Sequence, residues 1–390
     1  MRRGSLAITL FATTTACGYP SYEFVAGDSG ADVTTLDSDG DSAPVADSSA
    51  DTGTPGDSAI DTSSDGEVTN DSGALADSGV DGVIDTSVDS AETGPLGTCT
   101  VFPASNWWNT AVDGKSVDPM SSTWIGNSDP GNPLKPLIGP SDGVPYVIVP
   151  GSQPLVDIFE DAATGYPDES DPGPMPIPTD APRSFSDGYL ITIDRDACVL
   201  YEMYNARAYD FTAKRYQCDV ATRWRLTANI VRGLGCTSAD SAGLPIFPGL
   251  LRRDEFESGA INHALRFQLR GSAVRAAVIA PPGSHTFGTI SSSSSTAGNY
   301  LPAAARVRLK ATFDETLVPA EYRLIVRTLK KYGMLLATGG ESWNFYGDAS
   351  PKWDLAALTA AMAKIHGSDF EVPPLGPGVI ESKPFPTCVP

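Results

Sequence analysis

Apolar and polar positions alternate in short blocks over the last three quarters of the chain and hardly at all over the first quarter. Blocks of five to ten residues, bounded by Gly and Pro and rich in β-branched and aromatic side chains, read as strands that bury one face. They fall at residues 145–149, 155–159, 189–193, 198–204, 223–230, 260–269, 274–280 and 305–313. Residues 261–267 alternate with one slip at Ala264-Leu265, the pattern of a half-buried strand. Helical spacing enters only near the end. Residues 319–332 place Leu324, Ile325 and Leu329 among Arg and Lys, with Pro319 at the start and Gly333 beyond the end. Residues 354–365 are rich in Ala and Leu, with Gly367 after them. Between these helices 334–337 reads as a strand, and 343–346 as a further one. Many short strands, Pro/Gly-rich loops and few helices predict a mainly β protein, a β-sandwich or jelly-roll-like core with two C-terminal helices.

Charge divides the chain in the same place as the hydrophobic pattern. Of 390 residues, 48 are Asp or Glu and 27 Lys or Arg, a formal net charge of −21. Residues 1–97 hold 18 of the acids, with Arg2 and Arg3 as their only basic residues. Residues 98–390 carry 30 acids against 25 bases. This mildly acidic remainder lacks a basic stripe, which excludes nucleic acid as the expected partner. Residues 26–97 are built almost wholly from Asp, Ser, Thr, Gly, Ala and Val. Such a segment buries too little apolar surface to offset the entropy of ordering it. Residues 18–97 therefore read as a disordered acidic tether with a reach of roughly 45–50 Å. Residues 98–390 read as the globular β-rich module, one large domain or two packed subdomains.

The N-terminus has its own pattern. Met1-Arg2-Arg3 is a positive segment, residues 6–12 are apolar, and small residues run through 13–16 into Cys17. The apolar stretch is too short to span a bilayer as a mature helix. Residues 1–17 resemble a bacterial lipoprotein signal, whose Cys is lipidated and becomes the mature N-terminus, although Thr14 stands where that pattern has Leu. The resemblance implies lipid on Cys17. Gly18, in place of an inner-membrane-retaining Asp, points to the outer membrane or cell surface.

Five cysteines follow. Cys99 opens the module and Cys388 nearly ends it, so a Cys99–Cys388 bridge is expected to clasp the termini. Cys218 and Cys236 are expected to form a local bridge, leaving Cys198 over. The cysteines lack Cys-x-x-Cys spacing, and His263, His285 and His366 do not cluster with them, so no metal is expected. No dinucleotide or phosphate-loop fingerprint calls for a cofactor. The runs 168–174 (DESDPGP), 243–250 (GLPIFPGL), 263–267 (HALRF) and 329–334 (LKKYGM) resemble a family of secreted bacterial proteins. The resemblance implies an architecture class and supplies no mechanism.

Candidate chemistry centres on Arg252-Arg253-Asp254-Glu255-Phe256-Glu257 and the nearby His263 and Arg266. On an extended backbone Glu255 and Glu257 share a face. Two carboxylates so placed suit glycoside hydrolysis, one protonated as acid and the other ionised. Asp171 in the acidic loop is a reserve carboxylate, and His263 a partner that positions one of them. Trp107, Trp343 and Tyr346 are candidate sugar platforms, with Arg266 a further substrate-binding residue. The expected partner is a polysaccharide or cell-envelope glycan, with the membrane reached through the lipid alone. Three readings follow: a polysaccharide hydrolase, a non-catalytic glycan- or envelope-binding lipoprotein, and a polysaccharide lyase using His263, a Tyr and an Arg.

Overall fold

Two sheets carry the residues that matter most for the site. In the larger, the strand order is β1 (Lys135–Leu137), β13 (Asn344–Tyr346), β8 (Leu265–Leu269), β12 (Met334–Gly339), β11 (Arg306–Leu309) and β14 (Phe370–Glu371). Strand β8 lies at its centre, parallel to β12 and antiparallel to β13, with all five residues buried. Its alternation sends Leu265, Phe267 and Leu269 to one face and Arg266 and Gln268 to the other. The second sheet runs β2 (Val147–Val149), β4 (Leu190–Asp194), β5 (Val199–Tyr204) and β7 (Val220–Arg225). Strand β4 is buried throughout, which explains its near-continuous apolar run. A third sheet has the order β10 (Leu301–Ala303), β9 (Val274–Ile279) and β15 (Val379–Glu381), and β3 (Asp157–Glu160) pairs in parallel with β6 (Arg215–Cys218).

This is a computed structural model, and it describes residues 96–376, 378–381 and 388. The expected signal segment, Cys17 and the expected tether up to residue 95 lie outside the described residues. The strand-rich class and the two C-terminal helices agree with the hydrophobic pattern. Pairing within the three larger sheets mixes parallel and antiparallel neighbours, whereas sandwiches and jelly rolls are built from antiparallel sheets.

Helices α1 (Ser121–Gly126) and α2 (Gly139–Asp142) are single turns. Helix α3 (Arg253–Ser258) occupies the stretch expected to be extended. Asp348, from beyond β13, accepts a hydrogen bond from Arg253 N at 2.8 Å at its start, and Gly259 ends it with φ +78°. Its one large apolar side chain, Phe256, packs on Trp353 and Tyr322. Helix α4 (Arg323–Lys331) buries Ile325, Val326 and Leu329 and places Lys330 and Lys331 where the helix dipole favours cations. Gly333 follows with φ +67°, and a Cβ there would stand 2.0 Å from the Val307 carbonyl oxygen, so only glycine fits. Helix α5 (Leu355–Met362) is capped by Asp354, whose carboxylate accepts from Ala357 N at 3.0 Å.

The disulfides correct the expected pairing. Cys99 bonds to Cys198 and Cys236 to Cys388, while Cys218 is free and buried. Cys198 sits in the β4–β5 turn, within reach of the module's first residues. On β6 the buried positions are Tyr216 and Cys218, which face the smaller of two hydrophobic clusters alongside Met175 and Met203. Burial there pushes the Cys218 thiol well above its ordinary value and leaves it inert. Two such bridges belong to an oxidising, extracytoplasmic compartment. Among the described residues no helix is long and apolar enough to cross a membrane.

Candidate functional site

A cavity of about 640 Å³ opens where the ends of β4, β5 and β7 approach β8, β12 and β13. This volume lies in the usual range for ligand sites. Its aromatic walls are Tyr166, Tyr189, Tyr204, Phe287 and Tyr346. Between them stand the hydroxyls of Ser186, Thr237, Ser238, Ser241, Thr286 and Thr338, with Gln268, Asp187 and His285 as the other polar groups.

Buried charge holds those walls in place. Arg266 reaches Asp240 through two bonds of 2.9 Å, and neither side chain is exposed. Burial alone would lower the Arg266 pKa, but Asp240 and the tyrosines Tyr189 and Tyr346 hold it above the usual guanidinium value. The guanidinium lies 3.9 Å from the Tyr346 ring centre and 5.5 Å from that of Tyr189, so one ion pair backs two walls. Tyr346 donates its hydroxyl to Gln268 Oε1 at 2.5 Å, which joins neighbouring β13 and β8 at the cavity face. Burial pushes the Tyr346 phenol up to about 12, so it stays a neutral donor at physiological pH. Gly340 is the cradle for this pair, since a Cβ there would lie 2.4 Å from the Gln268 amide.

Glu202 on β5 is a third buried charge near this pair. Its Oε1 accepts from Ile246 N at 2.9 Å and Phe247 N at 2.8 Å. Burial raises its pKa to about 7 against the pull of those two amides. Nearer the surface, His285 Nδ1 lies 3.2 Å from the Ser241 carbonyl oxygen. A carbonyl only accepts, so Nδ1 is the donor in this contact. Ser241 Oγ and Thr338 Oγ1 share a hydrogen bond of 2.8 Å across the wall.

Comparison with known proteins found no matching family model, no matching curated protein and no matching solved structure.

Of the residues singled out in the sequence, the fold brings Tyr346 and Arg266 together here, Tyr346 in the wall and Arg266 behind it. The others serve elsewhere. Residues two apart on a helix point to nearly opposite sides, so Glu255 and Glu257 do not form the expected pair. Glu255 is enclosed by Arg252 and by His263, whose Nε2 lies 2.9 Å from Oε2. Burial works to raise the Glu255 pKa, but His263 and Arg252 outweigh it and hold the carboxyl below its ordinary value. Glu257 pairs on the surface with Arg253 and Lys352, and the Arg253 hydrogen bond lowers its pKa as well. Neither carboxyl is a proton donor at neutral pH. His263 also contacts the Ala264 carbonyl at 2.8 Å, so both its partners are acceptors and the buried ring acts as a structural donor.

Asp171 accepts from Arg223 N at 2.7 Å and from Arg232 at 2.8 Å, which pins the acidic loop to β7 and the segment after it. Trp343 is fully buried, stacked between Phe267 and Phe370 at 5.5 and 5.0 Å, and cannot meet a sugar. Trp107 is half-buried outside the cavity lining, and its carbonyl accepts from Arg306. Sequence reasoning missed Tyr189, Tyr204, Gln268 and His285. The available signal was the polar face of β8, where Gln268 follows Arg266 by two.

Proposed function

We propose that this chain is an exported, surface-anchored glycan-recognition protein, lipidated at Cys17, and that its saccharide sits in the cavity walled by Tyr166, Tyr189, Tyr204 and Tyr346. The observation that carries the reading is the composition of that lining. Aromatic faces suit the C–H surface of a sugar ring, and hydroxyl and amide groups between them suit its alcohols. The walls are braced from behind by Arg266–Asp240 and within the lining by the Tyr346–Gln268 bond, so the site is organised before ligand arrives. Recognition has more support than hydrolysis. The carboxylates that would have served as acid and base are both ionised and tied to their own cations, and among the described residues Asp187 is the one carboxylate in the lining.

The test uses the full-length protein against cello-, chito-, xylo-, manno- and malto-oligosaccharides of one to six units. Isothermal titration should find saturable binding to at least one series, with neither new reducing ends nor unsaturated products on prolonged incubation. Turnover would replace the recognition reading with an enzymatic one, and absence of binding across all five series would reject it.

A further inference from the structure

The cavity opens beside a loop that holds an aromatic ring out in water. Phe185 is 94% exposed, and the next two residues, Ser186 and Asp187, line the cavity. The loop is tied down on both sides of that ring. Ser184 N donates to the Tyr189 carbonyl at 2.9 Å, and Tyr189 N returns a bond to Ser184 Oγ at 2.8 Å. Asn205 N donates to the Asp187 carbonyl at 3.0 Å and Ala206 N to that of Gly188 at 2.9 Å, which fastens the loop to the chain leaving β5. Arg183 adds a bond to the Ala206 carbonyl at 2.8 Å. Gly188, with φ +59°, makes the turn possible.

So the position of Phe185 is built, yet its side chain forgoes the burial an aromatic ring ordinarily gains. A single exposed apolar residue needs no explanation. This one directly precedes two lining residues, and the same lining carries two further exposed rings, Tyr166 at 50% and Tyr204 at 36% exposure. We infer that Phe185, with Tyr166 and Tyr204, forms an outer aromatic platform, so that the ligand is an oligosaccharide with one ring inside the cavity and the next stacked on the rim. The inference rests on the glycan reading above and specifies its ligand class.

The experiment follows affinity against chain length, from one to six units, in the same five series and with the full-length protein. Wild-type affinity should climb beyond one unit. Phe185→Ala should cut that climb by about 2- to 10-fold, the range expected for one aromatic stacking contact. Phe185→Trp should restore it. Phe211 is a matched control, 74% exposed and outside the cavity lining, and Phe211→Ala should keep the wild-type profile. Thermal unfolding of Phe185→Ala should match wild type, because the ring is already in water. A length profile untouched by Phe185→Ala, or a wild-type profile flat beyond one unit, overturns the platform while leaving recognition intact. Failure of the wild-type protein to bind any saccharide removes both.

Discussion

Glu202→Gln separates the buried charge beneath the cavity from the rest of the protein's titration. In the fold Glu202 is fully buried and its pKa is raised from 4.5 to about 7 by burial, with Asp240 nearby adding to the effect. A raised carboxyl pKa means the folded state binds the proton more tightly than the unfolded chain. Stability from this group is therefore fully present below pH 4.5 and is lost as pH rises through 7. The interval is worth about 3 kcal/mol, at roughly 1.4 kcal/mol per pH unit. Gln keeps the shape and one carbonyl oxygen for the Ile246 and Phe247 amides, but it does not titrate. Its NH₂ replaces Oε2, which lies 3.1 Å from Ile246 N, but both amides keep Oε1 as acceptor, so any offset is nearly the same at every pH. The informative quantity is thus the difference between variant and wild type as a function of pH, in which other carboxylates and histidines cancel. Urea unfolding with disulfides intact, from pH 4 to pH 8.5, measures it. The variant should gain about 3 kcal/mol on wild type between the two ends. Parallel profiles would refute the argument that burial dominates Glu202.

The remaining predictions concern packing and covalent structure. Trp343→Ala should cost about 3–5 kcal/mol in urea unfolding, since it empties a fully buried stack between Phe267 and Phe370; a cost under 1 kcal/mol would contradict its core placement. Glu255→Gln should destabilise by about 3–5 kcal/mol because Arg252 is left buried without its anion, whereas Glu257→Gln on the exposed side should leave the unfolding midpoint unchanged. Non-reducing peptide mapping should recover Cys99–Cys198 and Cys236–Cys388, and Cys218 should alkylate only after denaturation. Each bridge closes a long loop, with separations of 99 and 152, so removing either should cost about 5 kcal/mol in the chain-entropy limit.

Local pattern made most of the strands and both C-terminal helices legible. Short apolar blocks bounded by Gly and Pro landed on β4, β5, β8, β9 and β12, and the helical spacing of Leu324, Ile325 and Leu329 landed on α4. What failed to show locally depends on distant partners. Arg253–Ser258 has one large apolar residue and no helical stripe; it is helical because Asp348, 95 positions on, meets its first amide and Phe256 finds Trp353. Cysteine pairing turned on which turn lies beside Cys99, and spacing along the chain does not carry that. Trp343 stands in a Gly- and Asn-rich stretch that reads as surface, yet it fills the core beneath Phe267 and Phe370. Arg266 and Tyr346 were recognisable as residue types, but the cavity they share draws its walls from residues 166 to 346. The folded chain alone assembles it.

Everything turns on where a saccharide binds. The crystal structure of the full-length protein with the tightest-binding oligosaccharide of the five series tests it most directly. Ring density against Tyr346, Tyr189 and Tyr204, with hydroxyls toward Gln268 and Ser241, is the predicted result. Density confined to the shallower depression lined by Tyr146, Glu257 and Lys352 would contradict the assignment and move recognition to the other carboxylate-bearing face.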